Sequence, residues 1–345
     1  MEFIYNPQEF HWSLPGCSAY KEIPLSKFDK IIIEKWNEAM QKGYFKYELN
    51  LKTKILPGKR GYVAQLNPLR FIERRKPQHI QSVNQEFDPN SFNFNKIHEK
   101  EVLLLPVGLH WMNHDPHNKL KNKIIINVSP LEFGHCLIIP EINKCLPQAV
   151  TSFGLQLAVE FLLLSKHLGL CVGFNSLCAL ASVNHLHFHS YYLDELLPIK
   201  KCKVQHLTKN LYEILDWPAS GFIFQLEENA LVTFIENVVK VTQYFQKEEI
   251  AHNIMISRGT IYSQHHMEND NAINLFLWPR IKYEGAKNSD CFNIALAELA
   301  GQLPIKDLKS FEEITEELVD QTINEAGFNE RDFEVLKKHV ISLVS

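Results

Sequence analysis

The sequence predicts an α+β fold in which helices pack on an antiparallel sheet. Short apolar runs, mostly bounded by proline or glycine as strands commonly are, recur along the 345-residue chain. Longer stretches with helical periodicity separate some of these runs. Their order is strand, strand, helix, strand, strand, which differs from the regular alternation that builds a parallel sheet. Hydrophobic residues make up 45% of the chain, as is usual for a globular protein.

The first half is expected to contain two helices and four strands. Residues 26–43 predict a helix with Ser26 as its N-cap and a glycine just past its end. A second helix is predicted over residues 147–169. Residues 58–78 and 87–97 are rich in proline and asparagine, which favours extended, loop-rich chain. The four strands are expected at residues 122–130, 134–140, 170–176 and 181–193.

The second half repeats this rhythm. A helix is expected at residues 228–248, and the chain from Ser310 onward is acidic and helical in pattern. The strands are expected at residues 221–227, 252–259, 273–280 and 292–301. The repeated rhythm, with no clear linker, predicts two related sheet modules, residues 1–204 and 205–345, that form one continuous structure.

The segment ASVNHLHFHSYYL carries the most unusual pattern, because three histidines stand at alternate positions. Alternation is the period of a strand, so His185, His187 and His189 are expected on one face. Leu186 and Phe188 are then expected on the opposite, buried face. Three interpretations are open: a solvent-facing strand, a metal site, or a nucleophilic histidine flanked by two helpers. The outer two histidines would lie about 13 Å apart along a strand, which disfavours one ion bound by all three.

Composition excludes several other classes. The net charge of −4 argues against a general nucleic-acid-binding protein. The N-terminal residues lack the basic and apolar regions of a secretory signal. The most apolar stretch, residues 155–174, is interrupted by Glu160, Lys166 and His167, which predicts a buried helix and not a membrane span. Seven cysteines without regular spacing predict free thiols in a reducing compartment, with the cytosol as the expected location.

Several of these stretches together resemble the histidine-triad superfamily of nucleotidyl hydrolases and transferases. The resemblance rests on NHLHFH and the upstream NVSPLEFGHCLIIP, and it implies a histidine-triad-like sheet. GYVAQLNPLRFIERRKPQ, FDPNSFNF, LFLWPR and FNIALAELAGQLP are similar to the GDP-D-glucose phosphorylase and plant GDP-L-galactose phosphorylase families. The similar stretches span about residues 61–304. The third position of the triad is His189, and a histidine there resembles the animal-type family. The plant families are similar but have glutamine at this position. Leu180 and Ala181 stand where simple superfamily members carry Gly-Gln.

The resemblance implies cleavage of GDP-glucose by inorganic phosphate to glucose 1-phosphate and GDP. His187 would attack the α-phosphorus and hold GMP covalently, while His185 and His189 would donate to phosphate or leaving-group oxygens. No cofactor or metal is expected. The expected ligands are a GDP-hexose and phosphate, and a homodimer is one candidate assembly. The alternatives are a nucleotide hydrolase of the same superfamily that uses water, and a catalytically idle nucleotide-binding protein.

Other side chains near these motifs are candidates for nucleotide or phosphate contacts. Those that border the motif strands are Asn127, His135, Asn175 and Ser182. Basic residues that could face the pyrophosphate are Arg70, Arg74, Arg75, Lys76 and Arg280. Trp111 and Trp278 could stack on guanine. Each of these residues also has a purely structural interpretation, such as a turn hydrogen bond, a solvated charge or core packing.

Overall fold

The computed structural model describes residues 1–15, 23–75, 77–111, 121–262, 270–283 and 292–345. The strands are β1 (Glu2–Tyr5), β2 (Leu14–Pro15), β3 (Lys52–Ile55), β4 (Val63–Leu66), β5 (Val102–Gly108), β6 (Lys123–Ile126), β7 (Cys136–Ile139), β8 (Leu170–Asn175), β9 (Phe188–Tyr192), β10 (Val204–Thr208), β11 (Leu211–Ile214), β12 (Phe222–Leu226), β13 (Ala251–Thr260), β14 (Asp270–Arg280) and β15 (Gln302–Ile305). The α-helices are α1 (Lys27–Gln41), α2 (Pro68–Glu73), α3 (Ser152–Leu163), α4 (Leu231–Lys247), α5 (Leu296–Leu299), α6 (Leu308–Glu313), α7 (Glu316–Ala326) and α8 (Glu330–Val344).

A twelve-stranded, mostly antiparallel sheet forms the centre of the molecule. From its outer edge to the centre of the sheet, one half has the strand order β5-β6-β7-β9-β8. The other half, also read from its outer edge to the centre, has the corresponding order β10-β11-β12-β14-β13. Strands β8 and β13 pair antiparallel where the halves meet, with Asn175 opposite Asn253. A helix directly precedes the junction strand of each half, α3 before β8 and α4 before β13. The predicted α+β class and continuous sheet are therefore confirmed. We propose from this repeat that the chain consists of two related halves, divided close to residues 204 and 205.

Each face of the large sheet carries its own core. On one face the buried side chains come from α1, α3, α4 and α8, and they pack against Leu186 and Phe188. On the other face a three-stranded sheet, β15-β4-β3, packs with α5, α6 and α7. The predicted alternation of faces is thus correct, since Leu186 and Phe188 are both fully buried in the first core. His187 and His189 face the second layer.

The predicted helix α1 is confirmed, including its cap. Ser26 Oγ accepts from the N–H of Asp29, and Asp29 Oδ2 accepts from the N–H of Ser26. This reciprocal pair satisfies two N–H groups that the first helical turn leaves free. Gly43, just past the helix, has φ +68°, a left-handed conformation that glycine adopts without steric cost.

Helix α3 is shorter than predicted, because it ends at Leu163 and not at Gly169. A buried guanidinium accounts for the early end: Arg258 Nη2 donates to the carbonyl oxygens of Leu162 and Ser165. The carbonyl of Leu163 accepts from the N–H of His11 at 2.7 Å. These N–H groups bind carbonyl groups at the helix end. In a longer helix, the same carbonyls would accept hydrogen bonds from the N–H groups of the next turn. Residues 155–163 are the buried helix expected from the apolar stretch. Among the described residues, no helix is long and apolar enough to cross a membrane.

Three further predictions are wrong in detail. Residues 58–78, expected to be extended, loop-rich chain, contain the paired strand β4 and the helix α2. Strand β4 pairs in parallel with β15, which lies more than 200 residues later in the chain, so local composition could not reveal it. Residues 292–301, expected to be a strand, contain the short helix α5, where Glu298 Oε2 accepts from the N–H of Ala295 and closes the turn. The histidine strand is also shorter than predicted.

Strand β9 begins only at Phe188, so that His189 lies on it while His185 and His187 precede it. The side chain of Gln148 replaces a neighbouring strand at this point. Its Oε1 accepts from the N–H of His187 at 2.9 Å, and its Nε2 donates to the carbonyl of His187 at 3.1 Å. Both backbone groups are therefore satisfied without strand pairing.

Replacement of Phe188 by alanine should strongly destabilise the fold. The ring is 0% exposed and lies 5.4 Å from the ring of Phe174, so its removal leaves a cavity in the first core. We expect a loss of about 3–5 kcal/mol in the free energy of unfolding, measured by denaturant titration. Val232→Ala, at a side chain that is 70% exposed on α4, is the control and should change stability by less than about 0.5 kcal/mol. A loss as small as the control's for Phe188→Ala would contradict the assigned facing.

Candidate active site

A cleft separates the histidine face of the large sheet from the layer that carries α2, α5 and β15. His187 and His189 line this cleft. All four residues predicted to contact nucleotide or phosphate also line it: Asn127, His135, Asn175 and Ser182. The C-terminal half contributes the facing wall through Tyr283, Asn293, Ala295 to Glu298, and Pro304. The structure therefore brings the predicted residues together, and the second half completes the cleft.

His187 is held as a neutral ring with one free nitrogen. Its Nδ1 lies 2.8 Å from the carbonyl oxygen of His185, and since a carbonyl only accepts, Nδ1 must carry the hydrogen. The lone pair then resides on Nε2. Burial lowers the pKa of His187 to about 4, so the ring is uncharged at neutral pH. The ring of Phe94 packs edge-on at 5.0 Å and fixes its plane further. A neutral imidazole with a free, oriented lone pair is a nucleophile.

A second chain of hydrogen bonds sets the tautomer of His189. The N–H of Leu131 donates to His135 Nδ1 at 2.8 Å, so the hydrogen of the neutral His135 ring is on Nε2. That Nε2 lies 3.1 Å from His189 Nδ1, which therefore accepts, and the amide nitrogen of Asn127 lies 3.2 Å from the same Nε2. His189 then carries its own hydrogen on Nε2. Burial keeps the pKa values of both rings well below the usual range, and the positive charge of Arg70 lowers them further. His189 is thus a neutral hydrogen-bond donor beside the nucleophile.

His185 is placed differently from the other two members of the triad. It is fully buried and is not among the residues that line the cleft. Its Nδ1 accepts from the backbone N–H of Phe94 at 3.1 Å, and its ring packs against those of Phe87 and Phe94. Its carbonyl receives the hydrogen of His187. This geometry does not support the predicted direct contact of His185 with phosphate oxygens, and we propose a positioning role for the residue instead.

The other predicted polar residues differ in whether their side chains already form hydrogen bonds within the chain. Asn175 Oδ1 accepts from the N–H of Leu296 at 3.1 Å and from the amide of Asn253, which ties the end of β8 to α5. Asn127 Oδ1 accepts from the N–H of Ser129 at 3.1 Å and stabilises the turn after β6. Ser182 is exposed at the rim of the cleft. Of the three, only Ser182 has a side chain free of hydrogen bonds within the described part of the chain.

Arginines form a basic wall beside the histidines. Arg70, Arg74 and Arg75 line the cleft, while Lys76 lies outside the described residues. Arg70 Nη1 donates to the carbonyl of Ser129, which fixes the guanidinium at the edge of the cleft. The guanidinium of Arg75 lies 3.3 Å from the ring centre of Phe92. Such a wall suits the phosphates of an anionic ligand.

Arg280 and the two tryptophans have structural roles instead. Arg280 is buried and donates to Asn253 Oδ1 at 3.1 Å and to the carbonyl of Ile294. Trp278 is fully buried and stacks on Phe276 at 5.8 Å. Trp111 packs edge-on against Tyr5 and Phe153 in the first core. The core-packing alternative is therefore correct for both tryptophans.

Sequence reasoning missed three residues that shape the site. Gln148 stands in a segment without a recognisable motif, and Phe94 ends the stretch FDPNSFNF, whose contact with His187 only the folded chain shows. Glu298 offered a signal, because a single carboxylate inside the apolar run NIALAELAG is seldom buried without a reason. Its side chain lines the cleft opposite the histidines. No three His, Cys, Asp or Glu side chains of the described ranges are grouped so that they could hold a metal ion.

Comparisons with known proteins agree with this site. Residues 27–191 match a family model described as GDPGP1-like, N-terminal domain, and residues 194–345 match GDPGP1-like, C-terminal domain. A Danio rerio protein named GDP-D-glucose phosphorylase 1 is 43% identical over 347 residues, covering 98% of this chain and 97% of its own length. The Homo sapiens protein of that name is 38% identical, with coverages of 100% and 92%. GDP-L-galactose phosphorylase 1 of Arabidopsis thaliana is 30% identical, with coverages of 90% and 73%.

A solved structure shares the architecture at much lower identity. The yeast Ap4A phosphorylase Apa2, crystallised with AMP, superposes with a TM-score of 0.58 at 16% identity. The match covers 88% of this chain and 97% of that one. It supports the predicted histidine-triad-like α+β fold. Because both family models and full-length relatives match, the chain belongs to the GDP-D-glucose phosphorylase 1 (GDPGP1-like) family.

Proposed function

We propose that this chain is a GDP-D-glucose phosphorylase, which converts GDP-glucose and inorganic phosphate into glucose 1-phosphate and GDP. The observation that carries the proposal is the hydrogen bond from His187 Nδ1 to the carbonyl of His185, which leaves Nε2 free beside a basic cleft. The identity of the substrate is inferred from the names of the relatives reported above. The geometry supports a two-step route through a covalent histidine, which replaces one difficult displacement by two easier ones.

In the first step, His187 Nε2 attacks the α-phosphorus of GDP-glucose. A P–N bond forms, and the bond from the α-phosphorus to the oxygen shared with the β-phosphate breaks. Glucose 1-phosphate leaves with that oxygen, and because a phosphate anion is a stable leaving group it needs little protonation. The N–H on His189 Nε2 and the arginine wall stabilise the charge that develops on the phosphate oxygens.

In the second step, inorganic phosphate attacks the phosphorus of the GMP–His187 adduct. A P–O bond forms, the P–N bond breaks, and GDP leaves with His187 again neutral. Because each displacement is in line, inorganic phosphate enters at the position that the departing phosphate of glucose 1-phosphate has left. In GDP-glucose this group was the β-phosphate. His135 and His185 act as positioning residues, which set the tautomers of His189 and His187 respectively.

Two alternative functions differ from this one in a measurable way. A hydrolase of the same superfamily would release GMP without phosphate, whereas the phosphorylase requires phosphate for turnover. An idle nucleotide-binding protein would form no adduct. Cys136, Cys171 and Cys202 form no disulfide, and burial raises the pKa values of their thiols, which fits our proposal of a reducing, cytosolic location.

Mixing the protein with GDP-glucose in the absence of phosphate should trap a chain heavier by one GMP. The adduct should be acid-labile and alkali-stable, as phosphoramidates are. Intact-mass spectrometry after rapid quench measures it, and added phosphate should discharge it as GDP. Turnover without any detectable adduct would contradict the covalent route.

The nucleophile and its neighbour should respond differently to substitution. His187→Asn removes the attacking nitrogen and should abolish adduct formation and turnover together, by several orders of magnitude. His189→Gln should keep substantial activity, because an amide can accept from His135 and still donate to phosphate. His189→Ala, which lacks the donor, should slow adduct formation by about 10²–10³-fold. Similar losses in His187→Asn and His189→Gln would mean that the assigned roles are incorrect.

In the pH profile of the rate of adduct formation, the midpoint of the acid limb should lie far below the usual histidine pKa. His187 attacks only when neutral, and burial lowers its pKa to about 4, so protonation removes the nucleophile only as the pH falls through that value. With GDP-glucose saturating at each pH, single-turnover adduct formation should stay constant from about pH 8 to about pH 5. Circular dichroism at each pH controls for unfolding. A midpoint near pH 6.5, as for an exposed histidine, would contradict the assignment.

A further inference from the structure

We propose that Glu298 recognises the hexose of the GDP-hexose substrate. This inference rests on the proposed phosphorylase function and extends it to substrate choice. The argument uses the position of the side chain in the cleft, the hydrogen-bonding state of its carboxylate, and the order of chemical groups in the ligand.

Helix α5 contributes Glu298 to the lining of the cleft that the reacting histidines also line. The side chain of Leu296 packs against Gly173, where an added Cβ would come within 2.7 Å of it. Gly173 is the β8 residue paired with His189 on β9. The N–H of Leu296 also donates to Asn175 at the end of β8. These contacts fix α5 beside the triad, and Glu298 lines the same cleft as His187 and His189.

The carboxylate of Glu298 is buried and short of donors. It is only 7% exposed, and its Oε2 accepts from the backbone N–H of Ala295 at 2.9 Å. Within the described ranges no side chain donates to it and no cation pairs with it. Burial raises its pKa to about 7, although the charges of Arg70 and Arg280 act in the opposite direction. A buried carboxylate in this state gains free energy from ligand hydroxyl groups, which can donate to its unused oxygen.

The two walls around His187 differ in character. Phe94, Leu137 and Val183 form an apolar wall that suits a flat base. Arg70 and Arg74 lie on the other side, and both are close enough to Glu298 for their charges to interact with it. In a GDP-hexose the two phosphates separate the base from the sugar. With the α-phosphorus at His187 and the β-phosphate on the arginines, the group that reaches Glu298 is the hexose.

A direct phosphate contact is unfavourable for the ionised form of Glu298. Two anions repel each other, and a buried carboxylate beside a phosphate would raise the free energy of both. The hexose hydroxyls are uncharged donors, and carboxylate oxygens accept from them. Guanine also offers N–H donors, so the experiment must separate the sugar from the base.

Glu298→Gln is the variant of choice, since its amide oxygen can still accept from Ala295 while the charge is removed. Two reactions should respond differently. The KM for GDP-glucose should rise about tenfold or more, and the preference for GDP-glucose over GDP-mannose should decrease. Exchange of labelled phosphate into the β-position of GDP uses the same base, phosphates and His187 but no hexose. This exchange should stay within twofold of the wild-type rate.

Glu101→Gln is a matched control. Glu101 is also 7% exposed and also accepts a helix-capping backbone N–H, that of His98 at 3.0 Å, but it does not line the cleft. Both reactions should be unchanged in this variant, and thermal melts should show both variants folded. If Glu298→Gln is unstable, Glu298→Asp keeps the charge one methylene further from the ligand, and it should raise the KM while preserving exchange.

The outcomes separate this inference from the proposed function. Equal losses in turnover and in exchange would overturn the hexose assignment, because Glu298 would then serve the nucleotide or the fold. An unchanged KM in a folded Glu298→Gln protein would overturn it as well. Absence of both adduct and exchange in the wild-type protein would instead overturn the phosphorylase function on which the inference rests.

Discussion

The site depends on one hydrogen bond, the 2.8 Å contact between His187 Nδ1 and the carbonyl oxygen of His185. A neutral imidazole has a single hydrogen, and the nitrogen that holds it cannot attack phosphorus. A net hydrogen-bond free energy of about 1 kcal/mol corresponds to a roughly fivefold preference for the reactive tautomer. The same contact orients the ring, so a local backbone feature two residues away determines both the availability and the direction of the lone pair.

The rest of the fold keeps that contact in place. Gln148 binds the backbone of His187 on both sides and also donates to the carbonyl of Asn175, so the loop before β9 is tied to the end of β8. The backbone N–H of Phe94 donates to the ring of His185, and the ring of Phe94 packs on that of His187. His189 obtains its tautomer from a separate element, the turn before β7, through His135. Two independent supports therefore fix two adjacent neutral rings.

Much of this arrangement could be predicted from local pattern, and the remainder could not. The alternation of histidines with Leu186 and Phe188 correctly predicted which face is buried, because side-chain alternation depends only on backbone geometry. The start of β9 was placed too early, since the clamp by Gln148 comes from a residue about 40 positions away. The pairing of β4 with β15 and the position of Glu298 likewise depend on contacts between distant segments. The position of His185 outside the cleft lining could not be predicted, because spacing shows a shared face but not the depth at which each ring lies.

The repeated topology has a consequence for how such a protein can change over generations. The face of β14 that corresponds to the histidine face of β9 carries Phe276 and Trp278, which fill the space with core where the first half has a cleft. That half carries no histidine triad, yet residues between 293 and 304 are part of the lining of the cleft. Part of the enclosure is thus encoded in a stretch of the gene separate from the one that encodes the reacting histidines. Mutations in the enclosing stretch can reshape the cavity while the reacting histidines stay intact, which gives natural selection a route to new ligands without loss of chemistry.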